Sequence, residues 1–236
     1  TPDCLTNTTA DMAIALLFAC ARRTVEADKF CREGKFKGWG PNLLLGRKIT
    51  GRKLGIIGAG RIGTNVALKM RIGFRMKIFY DDPCQNKMLE EITKAKRMPL
   101  KELLKECDFI SIHVNYNSEV HHLIGHDEFN LMKGRAILIN TSRGPVIDEK
   151  ELVKALREKK IFAAGLDVFE NEPQFAEGLT ELDNVVLTPH LGSATTHTRD
   201  IMARMAAKSI IEALEGEIPE CCVNKETFAK QSKSKK

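Results

Sequence analysis

Apolar residues along the chain fall into two rhythms. In residues 11–34, Met12, Ile14, Leu16, Leu17, Phe18 and Val25 recur at helical spacing, with Asn7 and Thr8 or Thr9 as caps and Gly34 as the stop; this predicts one long helix. Farther on, short dense runs of Ile, Val and Leu occupy residues 109–114, 136–141, 162–168 and 185–188, separated by helical runs at 100–107 and 149–159. Runs that are dense rather than alternating mark strands covered on both faces, as in a parallel sheet with helices on either side. Residues 195–215 predict a closing helix whose buried stripe is Ile201, Met205, Ile210, Ile211 and Leu214, with Gly216 as its stop. The fold class that follows is α/β, a doubly wound parallel sheet.

Residues 53–81 add chemistry to this pattern. Lys-Leu-Gly-Ile-Ile-Gly-Ala-Gly-Arg-Ile-Gly is a strand entering a three-glycine turn and a helix, and Met-Lys-Ile-Phe-Tyr-Asp is a second strand ending in a carboxylate. Gly58 permits the tight turn, Gly60 lets backbone approach a pyrophosphate, and Gly63 lets the helix pack on its strand, with the helix N-terminal N–H groups facing the anion. Asp81, eighteen residues past Gly63, is placed to take both hydroxyls of an adenosine ribose and to repel a 2′-phosphate, which favours NAD(H) over NADP(H). Glycine-rich turns also serve ordinary packing; here strand, helix and acidic residue all stand where a dinucleotide needs them.

Composition narrows the picture. The 236 residues are 43% hydrophobic, enough for one large α/β core. The formal charge of +6 is largely a tail: residues 225–236 carry five lysines against one glutamate, leaving +2 elsewhere. Its last seven residues, Lys-Gln-Ser-Lys-Ser-Lys-Lys, have no aromatic residue to stack on bases and no apolar partner to fold against, so a solvated, disordered end is expected rather than a nucleic-acid arm. Seven cysteines, an odd number without Cys-x-x-Cys spacing, fit a reduced, cytoplasmic protein. His122 and His126 are spaced for a shared metal but lack a third ligand nearby and read as surface histidines, so no metal is expected. No apolar run reaches the roughly twenty residues needed to cross a bilayer. The only tryptophan, Trp39, lies in an irregular segment at 35–41 that needs a covering surface, either its own domain or a second subunit.

In an open parallel sheet, ligands sit beyond the carboxyl ends of the strands. Three such ends carry polar groups: Thr141-Ser142-Arg143-Gly144-Pro145, Glu170-Asn171-Glu172-Pro173 and Pro189-His190-Leu191-Gly192-Ser193. Arg143 can bind a substrate carboxylate in a forked pair and polarise the adjacent carbonyl. His190 can supply a proton to the carbonyl oxygen while a nicotinamide supplies hydride to the carbon. Glu172, bonded to His190, would fix its tautomer and favour its charged form. The alternatives are a surface ion-pair arginine, a turn carboxylate before Pro173 and a hydrogen-bonded histidine after a strand; a shared rim beside a nucleotide site favours the catalytic reading.

These stretches resemble the NAD-binding domain of the D-isomer-specific 2-hydroxyacid dehydrogenases, most like the glyoxylate/hydroxypyruvate reductases. The similar segments are Thr-Ala-Asp-Met-Ala-Ile-Ala-Leu-Leu from Thr9, Gly-Trp-Gly-Pro from Gly38, the glycine turn from Gly55, Asn-Thr-Ser-Arg-Gly-Pro-Val-Ile-Asp from Asn140, Gly-Leu-Asp-Val-Phe-Glu-Asn-Glu-Pro from Gly165 and Thr-Pro-His-Leu-Gly-Ser-Ala-Thr from Thr188, together covering residues 1 to about 224. The resemblance implies that Arg143, Glu172 and His190 match the catalytic set, and that Asp167 matches the carboxylate holding the nicotinamide carboxamide; a strand-end cap is its alternative. It places Gly58, Gly60, Arg61, Ile62, Gly63, Asp81, His113, Val114, Thr141, Ser142, Asp167 and Gly192 around the cofactor, Arg61 and Ile62 at the pyrophosphate. Asn115 departs from the family's usual proline after His113-Val114.

Family members begin with a separate substrate domain of about a hundred residues, so most of that domain is expected to be absent from this chain. The expected organisation is a Rossmann domain over 1–216 that includes the N-terminal helix and a dimerisation loop, a return segment over 217–224 that would join the substrate domain and expose apolar surface without it, and the basic tail over 225–236. The resemblance further implies a homodimer built partly by the loop around Trp39, and a small 2-oxo or 2-hydroxy acid as substrate. Formate is disfavoured because relatives acting on it carry an amide where Glu172 stands. A non-catalytic NAD(H)-binding module of the corepressor kind is the alternative function.

Overall fold

The computed structural model describes residues 3–225. They divide into a larger compact unit, Thr9–Gly192, and a smaller one formed by the described parts of 1–8 and 193–236. The expected disordered tail lies, from residue 226 onward, outside the described residues.

Seven parallel strands make the sheet of the larger unit: β1 Lys53–Ile57, β2 Lys77–Asp81, β3 Lys96–Arg97, β4 Phe109–Ile112, β5 Ile137–Asn140, β6 Ala163–Leu166 and β7 Val185–Leu187, in the order β3-β2-β1-β4-β5-β6-β7. The order reverses between β1 and β4, which opens the crevice where such sheets bind ligands. Register is level across the carboxyl ends. Ile57 lies opposite both Asp81 and Ile112, Ile112 opposite Asn140, Asn140 opposite Leu166, and Leu166 opposite Leu187. Groups that follow these strands therefore emerge on one rim.

Helices cover both faces. α1 Thr6–Arg22, α3 Arg61–Phe74 and α4 Lys87–Thr93 bury Leu17, Val66, Met70 and Leu89 against one face. α5 Leu100–Glu106, α6 His126–Leu131 and α7 Glu149–Arg157 bury Leu103, Leu104, Phe129, Leu152 and Leu156 against the other. Neighbouring strand residues feed opposite layers: Leu138 joins the second cluster and Ile139 the first. Each fully buried aliphatic or aromatic side chain is worth about 1.5–3 kcal/mol of transfer free energy, which is why the doubly covered strands dominate the core.

Two expectations need correction, and one alternative is narrowed. The long helix over 11–34 is two: α1 ends at Arg22, Arg23 turns left-handed with φ 52°, and α2 runs Thr24–Arg32 with no buried residue. The Arg23 guanidinium bonds the Glu26 carboxylate at 2.6 and 2.7 Å, and past Ala21 the chain offers only Val25, Ala27 and Phe30, too few apolar groups to follow α1 into the core. Of the two covering surfaces considered for Trp39, its own domain is not the one: the side chain is 85% exposed. In the smaller unit α8, Thr196–Leu214, does not bury its apolar stripe: Ile201 and Met205 are half-buried, while Ile210, Ile211 and Leu214 are exposed, as are Ile218 and Val223 beyond it. Periodicity marked the face without saying what covers it. Gly216, at φ +84°, does follow the helix end as expected. No helix among the described residues is long and apolar enough to cross a membrane.

Candidate active site

The turn after β1 shows why three glycines are needed. Gly58 sits at φ +89°, and a Cβ there would meet the His113–Val114 peptide at 2.8 Å, so the end of β4 presses directly on the turn. At Gly63 a Cβ would collide with the Gly58 carbonyl oxygen and with Ile56. At Gly60 it would meet nothing within 4 Å. The space above Gly60 is open, and α3, which begins at Arg61 and continues through Ile62, has no side-chain cap at its N-terminus, the end of a helix that favours an anion.

Two residues that the sequence pattern did not single out hold this turn. Asp82 accepts the Ala59 N–H at 2.8 Å and the Cys84 N–H at 2.8 Å. Asn86 donates to the Ala59 carbonyl at 2.8 Å and to Thr64 Oγ1 at 2.9 Å, while capping α4 through the Leu89 N–H at 2.9 Å. The Asp-Pro-Cys-Gln-Asn run was a legible turn and cap signal, but not its reach back to the glycines. Asp82 being occupied leaves its neighbour Asp81 half-buried at the tip of β2 with no hydrogen bond to its carboxylate among the described residues. Burial pushes the Asp81 carboxyl up, the Asp82 charge adds to this, and Arg97 pulls it back.

Contrasting substitutions separate packing from binding in this turn. Gly60→Ala, at an ordinary φ of −70° and in open space, is expected to leave thermal stability within about 0.5 kcal/mol while weakening NADH binding about ten-fold or more by obstructing backbone approach. Gly63→Ala is expected to cost about 1–3 kcal/mol through the backbone clash. Thermal melts and NADH fluorescence titrations on both variants check the contrast.

At the ends of β4 and β5 the candidates divide by environment. Burial pushes the His113 imidazole down to about 3, which keeps it neutral, and its Nε2 meets Ser111 Oγ at 2.8 Å. Asn140, buried at the end of β5, accepts the N–H and hydroxyl of Ser142 at 3.0 and 2.9 Å and donates to the Arg143 carbonyl at 2.9 Å. This shapes the Thr141–Arg143 turn. Thr141 Oγ1 is buried with no hydrogen-bond partner among the described residues. Arg143 is exposed, and one of its donors bonds the Ser142 carbonyl at 2.6 Å. A Cβ on Gly144 would run into the Phe169–Glu170 backbone, so this turn lies against the loop that carries Glu172.

The ends of β6 and β7 bring the acid–base pair together. His190 Nδ1 lies 3.0 Å from Glu172 Oε2, and Glu172 Oε1 accepts the Phe169 N–H at 3.1 Å. Burial raises the Glu172 carboxyl, but the bonds from His190 and Phe169 and the charges of His190 and Arg143 outweigh it and hold the group below its usual range. Glu172 is then ionised and acceptor-only, so Nδ1 is the donor and Nε2 is left for proton exchange. His190 is itself held left-handed at φ 55° by hydrogen bonds from its backbone N–H to the Asp167 and Thr188 carbonyls, both at 3.0 Å.

Asp167 is 1% exposed and its carboxylate is engaged with its own chain: the Leu191 and Gly192 N–H groups at 2.7 Å each and the Thr188 hydroxyl at 2.6 Å. What is observed is the strand-end anchor of the His190 loop. A Cβ on Gly192 would press on Asp167 at 3.2 Å and on Thr9 at 3.3 Å, so the glycine keeps that anchor short. His122 and His126 pair separately with Glu170 and Glu151, and no group of three potential metal ligands occurs among the described residues. A cavity of about 540 Å³ lies at the opposite, amino-terminal ends of β6 and β7, lined partly by Arg47, Lys159, Phe162 and Asn184; none of the candidate site residues lines it.

Residues 14–192 match the model of the D-isomer specific 2-hydroxyacid dehydrogenase NAD binding domain. The chain belongs to that family. It is 51% identical over 232 residues to the glyoxylate reductase of Thermococcus litoralis, covering 97% of this chain and 70% of the relative. It is also similar to a solved structure from Thermus thermophilus, with 42% identity, a TM-score of 0.88, and coverage of 93% of this chain and 69% of that one. A third relative is the D-lactate dehydrogenase of Aquifex aeolicus solved with NAD and lactic acid, with 30% identity, a TM-score of 0.83, and coverage of 92% and 69%. The chain thus carries the NAD-binding domain of an oxidoreductase family acting on hydroxy acids, and spans about 70% of the relatives' length. The residues present fit the cofactor. Gly60 leaves open space, α3 an uncapped N-terminus, Asp81 an unbonded carboxylate and Thr141 an orphaned hydroxyl.

Proposed function

We propose that this chain supplies the cofactor site and most of the catalytic side chains of an NADH-dependent reductase of small 2-oxo acids, with glyoxylate or hydroxypyruvate as substrate. The observation that carries the reading is the 3.0 Å pairing of His190 with an ionised Glu172 that also feels the Arg143 charge, on the rim level with the glycine turn. A bound NADH supplies hydride to the substrate carbonyl carbon. Arg143, with donors to spare beyond the Ser142 bond, pairs with the substrate carboxylate. His190 delivers a proton from Nε2 to the carbonyl oxygen, and Glu172 stabilises the imidazolium before that transfer. Thr141, Ser142, Asp167 and Gly192 border the nicotinamide end, and His113 and Val114 the adenosine end. The named relatives are oxidoreductases, and the corepressor-like alternative gains nothing from them.

NAD(H) is proposed over NADP(H) because Asp81 presents a carboxylate where a 2′-phosphate would lie, while the Arg97 guanidinium beside it is spent on the Asp82 and Pro83 carbonyls. A homodimer is proposed on Val25, Phe36, Trp39, Leu43 and Leu45, large apolar side chains left exposed along α2 and the loop after it. A reducing, cytoplasmic setting fits seven free cysteines.

The test is loss of NADH absorbance with glyoxylate or hydroxypyruvate, using this chain alone and joined to the remaining part of the Thermococcus litoralis relative. Turnover by the joined form with NADH, and an increase of about ten-fold in NADPH use relative to NADH on Asp81→Ala, are the expected results. NADH binding without turnover in both forms would sink the enzyme reading and leave only a binding domain.

A further inference from the structure

The loop bearing Glu172 is fastened by a residue outside it. Glu149, the first residue of α7, is 3% exposed, and its carboxylate accepts the Glu170 N–H at 2.7 Å and the Ala176 N–H at 3.2 Å. In return the Glu170 carboxylate accepts the Glu149 N–H at 3.3 Å. Glu172 lies between the two fastened points. Capping α7 does not explain the arrangement, because Asp148 already takes the Lys150 and Glu151 N–H groups at 3.0 and 3.1 Å. Keeping this carboxylate is costly. Burial pushes Glu149 up, its two N–H bonds pull it back, and the charges of Glu170 and Glu172 push it up again. A buried acidic group held against that cost, with both oxygens on one loop's backbone, is placed to set where that loop lies.

We propose that Glu149 is a positioning residue for the acid–base pair: by gripping the Glu170 and Ala176 N–H groups it fixes the loop so that Glu172 meets the Phe169 N–H with one oxygen and His190 Nδ1 with the other. The inference rests on the catalytic reading of His190 and Glu172 given above. Gly144 contributes from the Arg143 side, since its lack of a side chain lets that turn rest on the same Phe169–Glu170 peptide. Glu149 touches no reacting group; it acts through Glu172.

Glu149→Gln keeps the size but turns an amide N–H₂ toward a backbone donor, so one of the two grips is lost. In the turnover-competent form, kcat is expected to fall about ten-fold with KM for NADH unchanged. In a Glu172→Gln background the same change should alter kcat less than about two-fold, because the route through Glu172 is already cut. Effects that simply multiply would overturn the proposal, since a residue needed only for stability acts independently of Glu172. The ¹⁵N shift of His190 Nδ1 reads the pairing without turnover: Glu149→Gln should move it toward its value in Glu172→Gln, and an unmoved signal overturns the proposal even if kcat falls. Should Glu149→Gln fail to fold, Glu149→Asp, a shorter carboxylate, is expected to show the same direction and non-additivity. Absence of turnover in the unsubstituted protein would count against the enzyme reading alone, because the nitrogen shift still decides the role of Glu149.

Discussion

His190→Asn is expected to lower kcat for 2-oxo acid reduction by about 10²–10⁴-fold, the range a positioned general acid contributes, while NADH binds as before. The asparagine amide can keep a hydrogen bond to Glu172 but has no proton to give near neutral pH. Structural damage should be slight: the His190 side chain is 53% exposed, and the loop is anchored by Asp167 through the Leu191 and Gly192 N–H groups rather than by the imidazole. The left-handed backbone at φ 55° is one that asparagine tolerates better than most residues. Steady-state kinetics with an NADH fluorescence titration decide the matter. A kcat within about three-fold of the unsubstituted enzyme would remove His190 from the proton path and return it to a strand-end histidine.

The legibility of this site follows from the kind of signal each residue leaves. Strand cores write themselves as dense Ile, Val and Leu runs at β1, β4, β5 and β7, while β2 and β6 are read from the Ile-Phe-Tyr run ending in Asp81 and the small apolar run before Asp167, so the rim they define is legible. β3 cannot: Lys96–Arg97 is two exposed basic residues whose pairing with Phe79 and Tyr80 leaves no apolar trace. α4 and α6, of seven and six residues, each bury too few side chains to mark an apolar stripe: Leu89 and Thr93 in α4, Phe129 in α6. Arg143, Glu172 and His190 stand out because charged groups directly after buried strands have few reasons to be there. Asp167 was equally visible, and its bonds to Thr188, Leu191 and Gly192 anchor the His190 loop beside the proposed nicotinamide end.

Other site supports were invisible for a physical reason. Asn140, Glu149 and Thr188 act by hydrogen bonds to backbone or to groups brought near only by folding, and a backbone donor has no side-chain identity to pattern against. Glu149 reads locally as an ordinary acidic residue in the first turn of a helix, which the macrodipole favours anyway. Only its burial and its two partners twenty-one and twenty-seven residues away separate it from the many solvated glutamates at helix starts. The same reasoning explains the error over α8: an apolar stripe implies a covering surface, whereas which surface is a property of the assembled molecule.

Arg143→Gln is expected to lower kcat/KM for the 2-oxo acid by about 10³-fold, because two hydrogen bonds to a charged carboxylate at about 1.5–3 kcal/mol each are lost. Arg143→Lys should recover only part of this, since an ammonium keeps the charge but not the planar fork. Folding is expected to survive both changes. The guanidinium is exposed, its one hydrogen bond among the described residues is to the neighbouring Ser142 carbonyl, and the turn is set by Asn140 and by the contact at Gly144. Glu172 should respond as well. Among the influences holding its carboxyl down is the Arg143 charge, so Arg143→Gln moves that carboxyl back up while Arg143→Lys moves it less. Kinetics across pH with all three proteins therefore carry two readouts: the size of the kcat/KM loss reports the carboxylate pair, and the acid limb reports the charge felt by Glu172. A glutamine variant with near-normal kcat/KM would place Arg143 outside the substrate's reach and leave the rim with a proton donor but no carboxylate anchor.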